Sequence, residues 1–289
     1  MSLYDNSVMA ATIPEEWDQA IDEARYAKSV LLPRIKTKTD TKATKVGDTV
    51  NMTYEGKLTV SSVNSSTGAF TPTTNSFTPV IMLLDQWKVV AAESLDLTDA
   101  QSFSDIHEGF PAKAGQALAE HYDNVLGALY ADFTTNTPVG SSDTPVTFDE
   151  IAINTSNLRL DDRDVPMNDR SFIINPAGFR LGISTRPVFI NASDAGTSQS
   201  LLSTGLVGVL KAGGVPMYIT TQLTTAGNAK AGFLLHRSAM AMGFTFKNKY
   251  RSGDGLASNK LTEISAVESV YGVKTFRPDH AVVLYLKQS

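Results

Sequence analysis

Hydrophobic and polar residues repeat with two different periods along the chain, and each change of period marks a predicted element. In residues 14–32 the apolar positions recur at helical spacing, and Trp17 and Ile21 lie on the resulting stripe. Pro33 is expected to end this helix, because proline has no amide hydrogen to donate. The stripe is narrow and rich in alanine, so we expect the helix to need a partner surface on its own chain or on another one.

A two-stranded segment with a long polar tip is predicted next. Residues 47–63 mostly alternate between apolar and polar, and residues 80–97 carry a second strand pattern. Between them, residues 64–79 are rich in Ser, Thr, Asn and Pro and almost without charge. Loops of this length are uncommon in a compact domain unless they are functional or disordered. We therefore predict that the tip projects and finds its partner outside its own chain.

The longest helical pattern covers residues 102–133, which corresponds to a rod of about 45 Å. Gly109 and Pro111 are expected to kink this helix or to separate its first turns. Beyond it the predicted elements are short and mixed, which is typical of an α/β unit. They are a helix capped by Thr147 that runs to Leu160, strands at 171–175, 215–221 and 232–235, a helix at 176–183, a loop at 250–260, and strand patterning at 261–286 with a turn at Pro278.

Composition excludes several classes of protein. The chain has 289 residues, of which 42% are hydrophobic and 19% charged, and its formal net charge is −5. Such a charge argues against a protein dedicated to binding nucleic acid. The absence of cysteine excludes disulfides, zinc thiolate sites, Fe–S clusters and cysteine nucleophiles. No signal-peptide pattern and no apolar run of about 18 residues is present, so we expect a protein made in a cytoplasm and without a membrane span.

Candidate chemistry is sparse. The four histidines, His107, His121, His236 and His280, show no metal-ligand spacing, and His121 is expected to be packed in a core. The sequence has no nucleotide-binding glycine loop and no G-x-S-x-G nucleophile motif. We predict no catalytic residue, no cofactor and no metal. A hydrolase that uses His280 or His121 stays open, and it requires a Ser or Asp partner within hydrogen-bond reach in a pocket.

Six stretches follow one another in an order that carries more information than any one of them. They are residues 46–50, 97–101, 114–133, 165–176, 213–218 and 271–278. The segment 165–176 matters most, because Val-Pro, then Arg170, then an apolar run and a second Pro describe a turn, a strand and a helix start. In this order the chain resembles the major capsid proteins of tailed bacteriophages, which have the Hong Kong 97-type fold.

The resemblance implies an α+β fold with an amino-terminal arm, an extended two-stranded loop, a long spine helix, a peripheral domain and an axial domain. It implies a non-enzymatic protein that assembles into hexamers and pentamers of an icosahedral shell around double-stranded DNA. The implied ranges are 1–45 for the amino-terminal helix and arm, 46–97 for the extended loop and its flanking strands, 98–135 for the spine helix, 146–239 for the axial domain and 240–289 for the return to the peripheral domain.

The resemblance also implies partners. These are other copies of the chain, a separate scaffolding protein, a portal protein at one vertex and a possible decoration protein, with assembly in the host cytoplasm and a final place in the virion. The basic linker at residues 34–45 is either a solvated connector or an arm that touches packaged DNA or an acidic patch on a neighbour. The residues expected to contact neighbouring subunits are Trp17, Ile21, Lys57, Phe70 and Phe77.

Two further classes remain as alternatives. An encapsulin-like shell of a cellular compartment shares the fold, and its contents would distinguish it from a phage capsid. A secreted adhesin or surface-layer protein would account for the many Ser and Thr residues. The missing signal sequence and the long alanine-rich helix count against that second class.

Overall fold

The structure, a computed structural model, describes residues 29–39, 46–56, 58–72, 76–95, 110–182, 211–212, 214–245, 249–254 and 262–288. These ranges contain three α-helices, which are α1 (Phe110–Ala128), α2 (Glu150–Asp161) and α3 (Pro176–Leu181). The strands are β1 (Lys36–Thr39), β2 (Thr49–Glu55), β3 (Phe77–Leu83), β4 (Gln86–Leu95), β5 (Arg170–Ile174), β6 (Lys211–Ala212), β7 (Val215–Ile219), β8 (Thr225–Ala226), β9 (Ala229–His236), β10 (Met240–Phe244), β11 (Lys249–Asp254), β12 (Thr262–Thr275) and β13 (Ala281–Lys287).

The first sheet is built around the long strand β12. Strand β4 pairs antiparallel with one side of β12, and β10 and β11 pair antiparallel with the other side. Strand β1 adds to β10 in parallel. Helix α1 covers one face of this sheet, because Ala114, Leu118, Tyr122 and Leu126 recur every four residues and are buried. They pack in one core with inward-facing residues of β10 and β12.

The second sheet has the strand order β13–β9–β5–β7–β6, with β8 paired to β9. Successive residues of β9 belong to two different cores. Phe233 and Leu235 pack in the core that contains α1, and Leu234 packs in the core that contains residues of α2. This sheet is therefore covered on both faces, and all five residues of β5 are buried.

Two chain segments cross from one sheet to the other side by side. Residues 237–239 join β9 to β10, and residues 276–280 join β12 to β13. The amides of Phe276 and Arg277 both donate to the carbonyl of Ala239, at 2.8 and 3.1 Å. Residues 240–289 therefore supply strands to both sheets.

Strands β2 and β3 form a separate two-stranded ribbon that rests on the first sheet. Val50, Met82 and Leu84 are buried where the ribbon meets this sheet. The contact is close because Gly243 and Gly272 present no side chains there. The ribbon is thus attached along one face, and the described residues of its far end, 58–72, are almost all exposed.

The amino-terminal part corrects a sequence prediction. Residues 29–31 are not helical, and a 3-10 turn, Leu32–Arg34, follows them. The carboxylate of Asp123 accepts hydrogen bonds from the amides of Val30 and Leu31, at 2.8 and 3.0 Å. A helix continuing to residue 32 would use those amides in its own ladder, so the predicted helix end is wrong.

The basic linker also proves partly structured. Its residues Lys36–Thr39 form β1, although all four side chains are exposed and give no apolar signal. The strand forms because its backbone pairs with β10, with Lys36 opposite Ala241. Residues 40–45 lie outside the described residues.

The predicted strands around the polar tip need new boundaries. The segment 80–97 contains two strands, because β3 ends at Leu83 and β4 begins at Gln86. Pro79 lies within β3 opposite Thr53, on a two-stranded ribbon where an edge position tolerates proline. On the other side, β2 ends at Glu55 and not at residue 63. Similarly, β11 occupies part of the predicted loop at 250–260, because β12 offers it a pairing edge.

The helices are shorter than predicted or capped differently. Helix α1 ends at Ala128, and a 3-10 turn, Leu129–Asp132, takes the next residues. Pro111 lies in the first turn, where it breaks no intrahelical hydrogen bond. The cap of α2 is Asp149, not Thr147, since its side chain accepts from the amide of Ala152 at 2.9 Å.

Candidate interaction surface

The tip of the ribbon exposes apolar side chains without any charge. Leu58, Val63 and Phe70 are 61–64% exposed, and Val60 is fully exposed. Residues 58–72 include no Asp, Glu, Lys or Arg. Contact of these apolar side chains with water is unfavourable, so a molecule that covered them would be stabilised by the contact.

Asn64 organises the tip locally. Its side-chain oxygen accepts from the amides of Ser66 and Thr67, at 2.9 and 3.3 Å. Its backbone closes the turn through bonds to Gly68 and Ala69, at 2.7 and 2.8 Å. The tip therefore has a defined turn of its own while its side chains stay exposed.

The ribbon has one attached face and one exposed apolar face. Met82 is 1% exposed, whereas its neighbours Ile81 and Leu83 are 53% and 49% exposed. Phe77, on the same exposed face two residues before Pro79, is 58% exposed. Alternation along β3 thus places an apolar stripe on the side that faces away from the first sheet.

The outer face of the first sheet continues this apolar character. Trp87 and Val89 of β4 are 62% and 61% exposed, and Ile264 of β12 is 37% exposed. They lie on the face opposite α1, because the residues of β12 that pack under the helix have odd numbers, such as Val267. Exposed apolar side chains thus occur on the ribbon and on this face of the sheet, which makes both candidates for an interaction surface.

Two lysines fix the ribbon at one pair of opposite residues. Lys38 Nζ donates to the carbonyl of Asn51 at 2.8 Å, and Lys274 Nζ donates to the carbonyl of Ile81 at 3.0 Å. Asn51 and Ile81 are directly opposite each other in the ribbon. Both edges of the ribbon are therefore fixed to the subunit body, so the exposed face keeps a defined direction.

The predicted contact residues fall into two groups. Phe70 and Phe77 are exposed on this surface. Trp17, Ile21 and Lys57, together with most of the predicted first helix, lie outside the described residues. The sequence prediction omitted Ile81, Leu83, Trp87 and Val89, although the odd-numbered alternation in the two strands was the signal that could have found them.

Asp123 anchors the segment that precedes β1. Besides the two amides of Val30 and Leu31, its carboxylate accepts from Ser29 Oγ at 2.6 Å. Burial raises the pKa of Asp123, and the three hydrogen bonds and Arg34 only partly oppose that rise. Asp123 therefore ties residues 29–31 to α1 by hydrogen bonds, beside the packing of Leu31 and Leu32 in the same core.

The crossing between the sheets contains a buried polar cluster. Ser238 Oγ lies 2.7 Å from His236 Nδ1 and 2.6 Å from His280 Nδ1. His280 Nε2 lies 3.6 Å from the carboxylate of Asp279. Burial lowers the pKa of His280 to about 4, with smaller lowering by Arg277, His236 and Lys36 and opposition from Asp279. Both histidines are therefore neutral near pH 7, because burial also lowers the pKa of His236.

This cluster has the residue types of a hydrolase but not the setting of one. Ser238 and His280 are only 7% and 5% exposed. Neither is among the residues that line the cavity beside Arg237. Nucleophilic catalysis requires a substrate within reach of the hydroxyl, so we interpret the cluster as a structural fastening of the crossing. His121, which was expected in a core, is only partly buried, and its Nε2 lies 2.6 Å from the hydroxyl of Tyr271.

Other functions leave few marks in the part of the chain that the structure describes. No group of three or more His, Cys, Asp or Glu side chains there is arranged to hold a metal ion. No helix within the described ranges is both long and apolar enough to cross a membrane.

The fold, with its ribbon and two sheets, is that of phage capsid structures. A chain of the capsid structure of cyanophage P-SCSP1u matches with a TM-score of 0.70 and 15% identity over 90% of this chain and 89% of that one. The structure of Mycobacterium phage Che8 matches with a TM-score of 0.66 and 20% identity, over 89% and 90% of the two chains. No protein-family model and no curated protein matches the chain.

The same fold occurs in a particle with a different origin. A virus-like particle from Pyrococcus furiosus matches with a TM-score of 0.50 and 11% identity over 93% of this chain and 98% of that one. At these identities the likeness establishes the shared fold, a mixed α+β fold, and the neighbouring capsid structures are shell proteins rather than enzymes.

Proposed function

We propose that this chain is the major capsid protein of a tailed phage and that it assembles into a closed shell. The observation that carries the proposal is the uncharged ribbon tip, residues 58–72, whose apolar side chains are exposed on a subunit with the fold of phage capsid structures. Exposed apolar surface is stabilised when another molecule covers it, and a shell supplies further copies of the same chain.

In this proposal the ranges act as the parts of a capsid subunit. Residues 1–45 are the amino-terminal helix and arm, 46–97 the extended loop, and 98–135 the spine helix, whose described part is α1. Residues 146–239 form the axial domain, and residues 240–289 return to the peripheral domain. Within residues 240–289, strand β13 pairs with β9 and so belongs to the second sheet, with the strands of the axial domain.

Assembly would proceed through hexamers and pentamers of an icosahedral shell around phage double-stranded DNA. The ribbon tip, with Lys57 and Phe70, would lie on a neighbouring subunit, and Trp17 and Ile21 would contact a neighbour through the amino-terminal helix. A separate scaffolding protein, a portal protein and a possible decoration protein complete the partners. Assembly in the host cytoplasm would lead to the virion, with only non-specific contact to the DNA.

An encapsulin-like compartment shell is the second candidate. It is supported by the match to the Pyrococcus furiosus particle over nearly all of both chains. The two candidates differ in what the shell contains. Particles that carry DNA favour the phage capsid, and particles that carry a cargo protein favour the compartment.

Sedimentation and negative-stain electron microscopy of the purified full chain test the proposal. We expect capsomers of five or six copies, or closed particles, because several weak interfaces act together in such assemblies. A protein that sediments as a monomer at every concentration, with or without crowding agents, would rule out the shell.

A further inference from the structure

Hydrogen bonds at the crossing between the sheets fix the nitrogen on which His236 carries its proton. The amide and the hydroxyl of Ser238 lie 3.2 and 2.7 Å from Nδ1 of His236. Because an amide can only donate, Nδ1 must be the nitrogen without hydrogen, and His236 carries its proton on Nε2. The hydroxyl of Ser238 then directs its single hydrogen at the same nitrogen.

His280 must have the opposite arrangement. Its Nδ1 lies 2.6 Å from Ser238 Oγ, whose hydrogen is already used. A hydrogen bond at this distance therefore requires His280 to donate, which puts its proton on Nδ1 and leaves Nε2 bare. Nε2 lies 3.6 Å from the carboxylate of Asp279. Two acceptors thus face each other without a hydrogen between them.

An added proton has different consequences at the two histidines. On His236 it has to enter at Nδ1, where it meets the amide of Ser238. On His280 it enters at Nε2, beside the carboxylate of Asp279, and the bond from Nδ1 to Ser238 is kept. His280 is therefore the first proton acceptor of this cluster.

Asp279 also contacts a second cation, which in turn contacts the ribbon. Its carboxylate lies 3.5 Å from Nη2 of Arg277. The guanidinium of Arg277 lies over the ring of Tyr54, 5.0 Å from its centroid, and Tyr54 belongs to β2 near the tip end of the ribbon. Phe276 meets the same ring edge-on, with the centroids 5.5 Å apart. A continuous line of contacts therefore joins the buried histidine to the ribbon.

Charged groups from several segments act on the two histidines. They are Lys36 of β1, Asp169 and Arg170 at the start of β5, Arg277 and Asp279 of the crossing, and Arg237 through Lys36. Burial is the largest cause that lowers the pKa of His280, to about 4, and nearby cations lower it further. His280 is therefore neutral near pH 7 and takes up its proton only in acid.

We propose that this cluster is an acid-operated switch for the tip end of the ribbon, in which protonation of His280 at Nε2 draws the carboxylate of Asp279 away from Arg277. One proton enters from solvent, and no covalent bond between heavy atoms changes. Arg277 then loses the carboxylate that fixes its guanidinium over Tyr54, and the new charge on His280 repels it. The two lysine contacts lie further from the tip and involve none of these residues, so only the tip end is released.

Nitrogen NMR of the unassembled full chain at about pH 7 tests the proton positions without any substitution. An imidazole nitrogen that carries hydrogen resonates far from a bare one, and each ring is assigned through the bonds to its own backbone. We expect hydrogen on Nδ1 of His280 and on Nε2 of His236. Hydrogen on Nε2 of His280 at this pH would overturn the switch, because the position for the added proton would already be filled.

Titration from about pH 7 to about pH 4 tests the link to the ribbon. Proton uptake at His280 and the ring signals of Tyr54 should change with one common midpoint. His280→Gln should hold the Tyr54 signals at their neutral positions, whereas His121→Gln, which removes a histidine outside the crossing, should keep the wild-type response. Tyr54 signals that stay unchanged while His280 takes up its proton would overturn the proposal.

Asp279→Asn tests the switch through a side chain that is 31% exposed, where the substitution leaves the core unchanged. Without the carboxylate, the Tyr54 signals at about pH 7 should already lie near those of the wild type in acid and should no longer follow the pH. Asp143→Asn, which changes an exposed carboxylate outside the crossing, should behave as the wild type does.

Identical Tyr54 signals at about pH 7 in Asp279→Asn and in the wild type would also contradict the switch, because the carboxylate would then have no part in placing Arg277. All of these measurements use the unassembled chain. Their outcome is therefore independent of whether the chain builds a shell, and the shell proposal can fail while the switch holds.

Discussion

Gly243 and Gly272 lie directly opposite each other on the neighbouring strands β10 and β12, under the place where the ribbon rests. A Cβ on Gly272 would lie 2.1 Å from the carbonyl oxygen of Leu83, and a Cβ on Gly243 would lie 2.6 Å from the end of the Met82 side chain. The two glycines therefore leave a flat surface on which the ribbon packs. We expect the orientation of the ribbon to depend on this contact.

The two glycines should respond differently to alanine. Gly272→Ala meets backbone that cannot move alone, so we expect it to cost about 1–3 kcal/mol and to displace the ribbon. Gly243→Ala meets the flexible end of a methionine, so its cost should stay below about 1 kcal/mol, partly because alanine restricts the unfolded chain. Chemical denaturation of the unassembled protein measures both. Equal losses in the free energy of unfolding would show that the close contact at Gly272 does not hold the ribbon.

The anchor at Asp123 should be sensitive to loss of one acceptor oxygen. Asp123→Asn keeps the size of the side chain but cannot accept all three hydrogen bonds from Ser29, Val30 and Leu31. We expect a loss of about 1–3 kcal/mol, because a buried amide is left without a partner. Glu120→Gln, an exposed change on the same helix, should stay within about 0.5 kcal/mol. Hydrogen exchange at the amides of Val30 and Leu31 should rise only in the Asp123 variant.

Stability should depend on pH through the crossing between the sheets. The pKa of His280 is about 4 in the folded chain against 6.5 as its ordinary value, so the unfolded chain takes up a proton first as the pH falls. The contribution is complete above about pH 6.5 and is lost as the pH falls toward 4, by up to about 3 kcal/mol. Denaturation across this range measures the slope.

The variant His280→Gln identifies the source of that slope. It should flatten the acid side of the stability curve, whatever it does to stability at pH 7. His121→Gln, which removes a histidine outside the crossing, should leave most of the slope in place. If the slope survives in His280→Gln and disappears in His121→Gln, the pH dependence comes from His121 and the assignment to the crossing is wrong.

The exposed apolar tip should matter for association and not for folding. Phe70→Ser changes a side chain that is 64% exposed, so the stability of the single subunit should change by less than about 0.5 kcal/mol. Assembly, followed by light scattering, should weaken strongly, and Phe70→Leu should restore most of it. If Phe70→Ser assembles at the wild-type rate and concentration, this residue is not at an interface.

Local patterns predicted most of the elements, and the failures have physical causes. The stripe of α1 and the apolar run of β5 were visible because burial imposes a period or a continuous run. Strand β1, with the sequence Lys-Thr-Lys-Thr, has no such pattern and exists because β10 offers an edge to pair with. Strand β11 was missed for the same reason, because it forms by pairing with β12.

The interaction surface was harder to predict than the fold. Phe70 and Phe77 were predicted as contact residues because the segment around them is uncharged; both are exposed, and their contact with a neighbour stays a prediction. The contact between the ribbon and the first sheet could not be predicted, because Gly243 and Gly272 meet only through strand register.

Crosslinking between differently labelled copies tests most directly whether the ribbon tip rests on another subunit. The chain has no cysteine, so Thr67→Cys places a single reactive thiol at the tip. Assemblies from a mixture of ¹⁴N and ¹⁵N copies, treated with a short thiol-to-amine crosslinker, are then digested and weighed. We predict that the tip crosslinks give peptides joining one ¹⁴N and one ¹⁵N chain as often as random mixing allows. Tip crosslinks found only within single chains would contradict the account.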